Sequence, residues 1–428
     1  MRAPVLSFTP RAVNRIRLAG ILGILGPGLV SGFADNDAGG ISTYSVAGVK
    51  YGYELLWVLL ASQIVLFFTQ EVGARLGLAT GQGLAGLVRE RYGVRWAAFM
   101  IIAMLVANVG SIVAEFAGCG AALSLFGVPT WISAFLAATV VVLLLTRGSY
   151  KRVQYLFVAV GLGVSISYFV SAILAHPDWG HAARALVVPG LDSSAAYWVT
   201  VVATVGTTIT PWGQAFIQSY VADKRLGAED LLGERLDVGL GAILTNLIAA
   251  FIVVACAAAV YSVGTQIDTT SPDAVGQIAG ALTPLAGDGA KVLFAVGLLA
   301  ASFLGLGVVP LTSAYAACEA FGWETGVDWR LREAPAFYGL MIFFVAFAAI
   351  FILLVPARLL VQVMFTAQVI NCVLLPFVLV FVMRLSSDAS LMGSLVSGPI
   401  LRAIGWAGTG LLVALSVTLV VTSVLPAA

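Results

Sequence analysis

The stretch that decides the fold is Asp35-Asn36-Asp37-Ala38-Gly39-Gly40, which interrupts the first long apolar segment, at residues 19–49. Polar side chains and paired glycines at this depth break a helix, and broken backbone is tolerated in a membrane only where it lines a cavity or is buried in protein. A second break, Gly206-Thr207-Thr208-Ile209-Thr210-Pro211-Trp212-Gly213, lies in the segment at 196–222, where proline removes a backbone donor. The sequence therefore predicts two discontinuous membrane helices.

The composition indicates an integral membrane protein. Of the 428 residues, 60% are hydrophobic and 10% are charged, whereas a soluble domain has about 25% charged residues. Segments of ~20 apolar residues, long enough to cross the hydrocarbon core, recur along the whole chain. A net charge of +1 predicts no nucleic-acid surface. We expect a lipid bilayer as the surroundings and no obligatory protein partner.

We predict eleven membrane spans in one transmembrane domain covering residues 1–428. Window length and flanking turn residues place the spans at 19–49, 54–77, 96–126, 131–147, 152–175, 196–222, 236–262, 288–321, 334–356, 358–384 and 401–425. If the N-terminus lies in the cytoplasm, most of the 22 Lys and Arg residues fall in predicted cytoplasmic loops. The exceptions, which fall on the outer side, are Lys50, Arg184, Lys291 and Arg358. This bias predicts a multi-pass protein of the plasma (inner) membrane with its C-terminus outside.

The two breaks lie five spans apart, which indicates an internal repeat. Because five is odd, a first unit at 19–175 and a second at 196–384 would have opposite orientations in the membrane, with 401–425 as an extra helix. Paired broken helices in matching positions of inverted halves are the best sequence pointer to a transporter's binding site.

Carboxylates at the first break are the most informative charges. Asp35 and Asp37 would be costly at this depth without compensation, and no Lys or Arg lies at the middle of any predicted span. A transported cation is the natural partner, above all for Asp37. Asp35 could instead cap the half-helix. Glu115 is either a hydrogen-bonded buried acid or a group that takes part in ion coupling.

Other polar residues of the spans supply oxygen. Thr207, Thr210 and Gln214 belong to span 6, and Gln368 and Asn371 to span 10. Span 6 contains no methionine, cysteine or histidine, and both histidines of the chain, His176 and His181, lie in the predicted loop between spans 5 and 6. Such oxygen ligands suit magnesium, calcium or manganese. Among the remaining acids, we expect Glu71 and Glu319 at the membrane interface and Asp237 as a helix cap.

These residues resemble the Nramp family of divalent metal transporters. Asp37-Ala38-Gly39-Gly40 stands where that family has its Asp-Pro-Gly-Asn metal motif, and Thr210-Pro211-Trp212 stands where it has Met-Pro-His. Further similar stretches are Gly26-Pro27-Gly28, Arg75-Leu76-Gly77-Leu78-Ala79-Thr80-Gly81, Ala114-Glu115-Phe116, and Gln368 with Leu375-Pro376-Phe377. The likeness covers essentially the whole chain.

The resemblance implies an all-α, leucine-transporter-type fold without enzymatic activity or a resident cofactor. It implies that the Asp37 carboxylate binds the metal, that Ala34 and Thr207 contribute backbone carbonyls, and that Gln368 contributes an amide oxygen. The positions of the family's asparagine and methionine ligands are Gly40 and Thr210 here, and these are the remaining members of the expected metal site.

Departures from the family pattern shift the expected cargo. Gly40 replaces asparagine, Thr210 replaces methionine, Trp212 replaces histidine and Ile112 replaces an aspartate of the proton route, while the arginine of helix 9 has no counterpart. These losses resemble the Nramp-related magnesium transporter branch. Shortened side chains leave room for the waters that magnesium retains. Around that ion we expect a second shell or pathway made of Asp35, Asn36, Gln214, Trp212, Glu115 and Asn371.

Four hypotheses follow. The leading one is import of a partly hydrated divalent cation, Mg²⁺ or Mn²⁺, by alternating access without strict proton coupling. A proton-coupled Mn²⁺ or Fe²⁺ importer is the first alternative. A sodium-coupled importer of an organic solute on the same fold is the second, although two aspartates disfavour an anionic solute group there. The third is a membrane-embedded enzyme that uses paired aspartates.

Overall fold

The computed structural model describes residues 31–32, 34–146, 150–264, 268, 271, 274–326 and 331–424, and these parts are helical with no strand. The main helices, in chain order, are α1 (Ala38–Tyr51), α2 (Leu56–Thr80), α3 (Leu84–Tyr92), α4 (Val94–Ser124), α5 (Thr130–Thr146), α6 (Tyr150–Leu174), α7 (Trp179–Val187), α8 (Ala195–Thr208), α9 (Pro211–Asp223), α10 (Leu231–Cys256), α11 (Ala290–Phe321), α12 (Pro335–Ile352), α13 (Leu360–Ser386) and α14 (Pro399–Val424). A π-helical turn at Ala257–Tyr261 extends α10. Short helices at Ala274–Ala279, Thr283–Ala286 and Ala389–Met392 lie in connections.

Seven of the described helical stretches are long and apolar enough to cross a membrane. They are Leu56–Thr80, Val94–Ser124, Ala228–Tyr261, Ala274–Phe321, Pro335–Ile352, Ala357–Ser386 and Pro399–Leu419. The predicted all-α membrane fold is confirmed. The total of eleven spans, the two repeat boundaries and the orientation stay predictions, and the first predicted span begins before the described residues.

Both predicted helix breaks are present. Residues 31–32 and 34 are helical, residues 35–37 are not, and α1 begins at Ala38. The second break separates α8 from α9, because Thr210 is an extended N-cap and Pro211 takes the first helical position, where its missing N–H costs nothing. Each break therefore ends at a capped helix N-terminus.

The helices around the breaks pack closely through small residues. α4 packs most extensively against α11 and α13, and α13 also packs against α8. A side chain at Gly118 of α4 would overlap Ala38 and Ser302, and one at Gly305 of α11 would meet the Glu115 carboxyl group at 2.5 Å. These glycines let α4 and α11 close on the break and enclose Glu115.

Three acids have positions or partners that their local sequence does not show. Glu71 is 2% exposed and binds Arg75 of its own helix and Arg235 of α10. Asp237 is buried within α10, whose N-cap is Asp230, so the expected capping role of Asp237 is wrong. Glu319 is partly buried, and the expected places of Glu71 and Glu319 at the membrane interface stay predictions.

Candidate cation-binding site

Asp37 is fixed by the helix that it caps. It is the N-cap of α1 in an extended conformation, and its Oδ1 accepts a hydrogen bond from the Gly40 N–H at 2.6 Å. The N-terminus of a helix carries a partial positive charge, so this position favours an ionised carboxylate. Asp37 is 2% exposed. Its second oxygen is free of the capping role, which is what a ligand needs.

Two glycines make the floor of the site. A Cβ at Gly40 would lie 2.8 Å from the Asp35 carbonyl oxygen, 3.2 Å from Thr207 Oγ1 and 3.4 Å from Asp37 Oδ1. A Cβ at Gly39 would overlap the side-chain amide of Gln368. Carboxylate, hydroxyl and amide groups from α1, α8 and α13 therefore converge on one small volume, as the sequence predicted.

The C-terminal turn of α8 supplies acceptors from the opposite side. α8 ends at Thr208, so the carbonyls of its last turn, that of Thr207 among them, lack the N–H donors of a following turn. The Ala34 carbonyl stands at the equivalent end of the turn before the first break, and Ala34 is fully buried. Helix C-termini carry partial negative charge, which adds to the attraction for a cation.

Asp35 forms a second polar group beside the N-terminus of α9. Its Oδ1 accepts from the Thr210 hydroxyl at 3.3 Å, while Thr210 Oγ1 accepts from the Gly213 N–H at 3.2 Å. Ser31 Oγ lies 3.6 Å and Asp35 Oδ1 3.7 Å from the place that a Cβ of Gly213 would occupy. The Thr210 hydroxyl is thus already engaged, and α9 favours negative charge on Asp35.

Asn36 turns away from the glycine floor. Its amide nitrogen donates to the Thr245 carbonyl of α10 at 3.4 Å, and the Thr245 hydroxyl donates to the Gly32 carbonyl at 2.5 Å. The first bond holds the nonhelical residues 35–37 against α10, and the second holds the turn before them. The Asn36 side-chain oxygen has no partner within the described residues.

Gln368 is oriented by a side-chain network. Its Oε1 accepts from Asn371 Nδ2 at 2.8 Å, and Asn371 in turn exchanges hydrogen bonds with the Ser111 hydroxyl at 3.0 and 3.3 Å. The Gln368 NH₂ group therefore faces Gly39. A half-turn of both amides would present the Gln368 oxygen to the site and keep the network bonded, because each amide carries donors on one side and an acceptor on the other.

Glu115 reaches the first break from α4. Its Oε2 accepts from the Ala38 N–H at 3.3 Å, and its carboxyl group contacts that of Asp37. Both readings of its role, hydrogen-bonded buried acid and participant in ion binding, are compatible with this position. Ile112, one turn earlier on α4, is fully buried and apolar.

Sequence reasoning missed Tyr44, Ser31 and Gln70. The Tyr44 hydroxyl lies 3.0 Å from Thr208 Oγ1 and ties α1 to the end of α8. Gln70 Nε2 donates to Ser31 Oγ at 3.2 Å. Helix spacing could have found two of them, because Tyr44 lies seven residues after Asp37 and Ser31 four before Asp35, each on the same helix face.

Unpartnered polar atoms concentrate around the two breaks. Within the described residues, the buried side-chain atoms near the breaks without a hydrogen-bond partner are Asp35 Oδ2, Asn36 Oδ1, Gln70 Oε1, Glu115 Oε1, Thr207 Oγ1, Trp212 Nε1, both amide atoms of Gln214, and Gln368 Nε2. A buried polar group without a partner costs about 1–3 kcal/mol. Such a concentration indicates a site built for a polar occupant.

The donor chemistry fits a hard cation that keeps water. The orphaned acceptors are carboxylate, amide and hydroxyl oxygens, which suit magnesium, calcium or manganese. Across the part of the chain that the structure describes, no three His, Cys, Asp or Glu side chains are arranged to hold a metal by themselves. The four cysteines are buried and form no disulfide.

Two capped half-helices that meet two helix C-termini at a closed, carboxylate-containing site define a broken-helix secondary transporter. The chain matches the model of the Natural resistance-associated macrophage protein-like (Nramp) family over residues 28–422, and it belongs to that family. The predicted family is therefore confirmed, and the protein is a transporter rather than an enzyme.

Curated relatives cover nearly the whole chain. The chain is 29% identical over 422 residues to a divalent metal cation transporter MntH of Deinococcus radiodurans, with 95% of this chain and 90% of the relative covered. It is 30% identical over 404 residues to an MntH of Ralstonia nicotianae, with 90% and 88% covered.

Solved structures share the fold. A manganese transporter of Eremococcus coleocola aligns with a TM-score of 0.74 at 20% identity, over 95% of this chain and 87% of that chain. MhsT in complex with L-phenylalanine aligns with a TM-score of 0.61 at 15% identity, over 94% and 98%. The same helical framework thus occurs in proteins named for different solutes, so the solute must be inferred from the site.

Proposed function

We propose that this protein imports a divalent metal cation, Mg²⁺ or Mn²⁺ with part of its water shell, by alternating access. The observation that carries the proposal is the set of orphaned oxygens that surrounds Asp37 and the glycine floor. The metal is the cargo, and no resident cofactor is needed for this function. MntH relatives named as divalent metal cation transporters support the same class of cargo.

The proposed direct ligands are Asp37, the carbonyls of Ala34 and Thr207, and the amide oxygen of Gln368. Gly40 provides space in place of a ligand. Because the Thr210 hydroxyl already bonds to Asp35 and Gly213, we assign Thr210 to contact with a coordinated water rather than with the ion.

Outer positions belong to Asp35, Asn36, Glu115, Asn371, Gln214 and Trp212. Asp35 attracts a dication across one layer of water, since its Oδ2 has no partner in the described residues. Asn371 orients Gln368, and Glu115 braces the start of α1. Such outer partners tune a metal site almost as strongly as its direct ligands do.

The proposed preference for a hard cation rests on what occupies the family's methionine and histidine positions. Thr210 and Trp212 offer no thioether and no imidazole, so the site lacks the groups that favour softer metals over magnesium and calcium. Magnesium dehydrates reluctantly, and a site with room at Gly40 accommodates retained water.

The proposed transport needs no obligatory proton. Ile112 is apolar and buried where the family carries an acid, and the family's helix 9 arginine has no counterpart in this sequence. The alternative is a proton-coupled Mn²⁺ or Fe²⁺ importer, and the contact between Glu115 and Asp37 is the observation that favours it. Paired aspartates disfavour a sodium-coupled importer of an organic anion. We place the protein in the plasma membrane with a cytoplasmic N-terminus.

Flux into proteoliposomes tests the proposal. Purified protein should admit Mn²⁺ or Mg²⁺, and Asp37→Ala should abolish entry while Gly339→Ala, at an open position of α12, should leave it intact. Transport that persists in Asp37→Ala contradicts the site assignment. An inactive wild-type protein under conditions where an MntH relative is active contradicts the function itself.

A further inference from the structure

A polar edge of α9 leads away from the breaks. Thr210, Gln214 and Gln218 are spaced four residues apart, which places them on one side of the helix. At one end the Thr210 hydroxyl donates to Asp35. At the other end the side-chain amide of Gln218 donates to the backbone carbonyl of Gln82 at 3.1 Å. The edge therefore connects the candidate site with the loop that follows α2.

Beyond Thr210, this edge contains buried amide atoms that have no hydrogen-bond partner among the described residues. Gln214 and Gln218 are both fully buried. In the described portion of the chain, neither amide atom of Gln214 has a hydrogen-bond partner, and neither does Gln218 Oε1. Buried amides normally have hydrogen-bond partners, so these atoms make the edge suited to a polar occupant.

A carboxyl group stands at the far end. Glu319 of α11 lies over Gly83, the residue after Gln82, where any side chain would overlap the Glu319 carboxyl group. Glu319 bonds to Ser219, the neighbour of Gln218, and its Oε2 has no partner among the described residues. An acid thus lies at each end of the polar edge, Asp35 at the Thr210 end and Glu319 at the Gln218 end.

The edge is closed in this structure by contact between α9 and α2. A Cβ at Gly77 of α2 would lie 2.8 Å from the Gln218 carbonyl oxygen, and one at Gly73 would lie 3.4 Å from the Gln214 carbonyl oxygen. At this seam the glycines of α2 face backbone of α9 and the apolar side chains of Ile217 and Val221. None of these contacts is an ion pair, which suits a passage that opens and closes.

We propose that Thr210, Gln214 and Gln218 form an amide ladder that conducts the partly hydrated cation from Asp35 to Glu319 as it leaves the protein. The inference rests on the proposed function and extends it to the release route. Amide oxygens accept hydrogen bonds from coordinated waters and bind a cation far less tightly than carboxylates do. A cation passes along a route when it binds weakly at several successive positions, so that it can leave each of them.

Cysteine labelling tests whether the ladder becomes wet. Gln214→Cys and Gln218→Cys in the full-length protein in liposomes should react with a small cationic thiol reagent, and Mn²⁺ should slow the reaction. Phe216→Cys is the control, because Phe216 is buried on the opposite side of α9 and packs against Trp212 and Tyr220. The wild type supplies the background, since its own cysteines are buried. Reaction of Gln214→Cys and Gln218→Cys at the Phe216→Cys rate overturns the ladder.

Leucine substitutions test the ladder by flux. Gln218→Leu, which changes the part of the ladder outside the binding site, should lower Mn²⁺ flux about tenfold, while Mn²⁺ affinity stays at the wild-type value. The matched control is Gln63→Leu of α2, whose amide pairs with Asn246 at 2.7 Å away from the ladder. Equal flux in the two variants overturns the inference. Absence of transport in the wild type would instead contradict the proposed function, and the labelling result would stand independently.

Discussion

Substitution of Gly40 tests the geometry of the site at its tightest point. A Cβ there would lie 2.8 Å from the Asp35 carbonyl oxygen, about 0.6 Å inside ordinary van der Waals contact, and that oxygen belongs to the backbone of the break. The break must move by roughly this distance, beyond the ~0.5 Å within which a binding constellation has to be held. We expect Gly40→Ala to cost about 1–3 kcal/mol of stability through overpacking.

The same displacement should weaken cation binding by about ten- to a hundredfold, the range found when groups that orient metal ligands are lost. Gly40→Asn should do no better, although it restores the side chain that the Nramp family has at this position. The assay is calorimetric titration of purified protein with Mg²⁺ and Mn²⁺, together with thermal unfolding. Gly339→Ala is the control, because its Cβ would meet nothing within 4 Å.

Two outcomes would refute this reasoning. If Gly40→Ala binds both cations as Gly339→Ala does, then Gly40 does not line the site. If Gly40→Asn raises the preference for Mn²⁺ over Mg²⁺ without loss of stability, then the break accepts the longer side chain and the steric account of the glycine floor is wrong.

Three further changes probe other parts of the account. Asp37→Asn should reduce affinity about thirtyfold or more and Asp35→Asn about tenfold in the same titration, and the reverse order would contradict the choice of Asp37 as the direct ligand. Thr210→Met should lose an N-cap worth about 1 kcal/mol yet increase inhibition of flux by Cd²⁺, and unchanged Cd²⁺ sensitivity would place residue 210 away from the cation. Glu71→Gln should lower stability by about 3 kcal/mol or more in thermal unfolding, because it leaves two arginines without their carboxylate. Arg235→Gln should cost less, since the Arg235 side chain is 45% exposed. Equal losses in the two variants would mean that Glu71 does not stabilise both arginines.

The sequence predicted the breaks because their causes are local. Thr210 followed by Pro211 specifies a capped helix start, whereas at the first break the N-cap is Asp37 and not Asp35, the residue that the sequence offered for that role. Long apolar segments likewise give the positions of the intervening helices to within a few residues. Convergence of Asp37, Thr207 and Gln368 followed from the family resemblance, and the structure brings these residues together.

Other features depend on contacts between distant parts of the chain. Glu71 stands at the end of a predicted span, and its partner Arg235 lies 164 residues later in the sequence. Asn36 was expected in the second shell of the ion, and its amide nitrogen donates to the Thr245 carbonyl, 209 residues away. No local pattern records such partners, and the same holds for Tyr44 with Thr208.

The most direct test of the central claim is simultaneous measurement of Mg²⁺ and Mn²⁺ entry and of internal pH in proteoliposomes that contain the wild-type protein. The account predicts that Mg²⁺ enters, that Mg²⁺ and Mn²⁺ compete for one site, and that internal pH stays constant during uptake. Entry of Mn²⁺ that ignores excess Mg²⁺ and acidifies the interior in proportion to the metal taken up would contradict it.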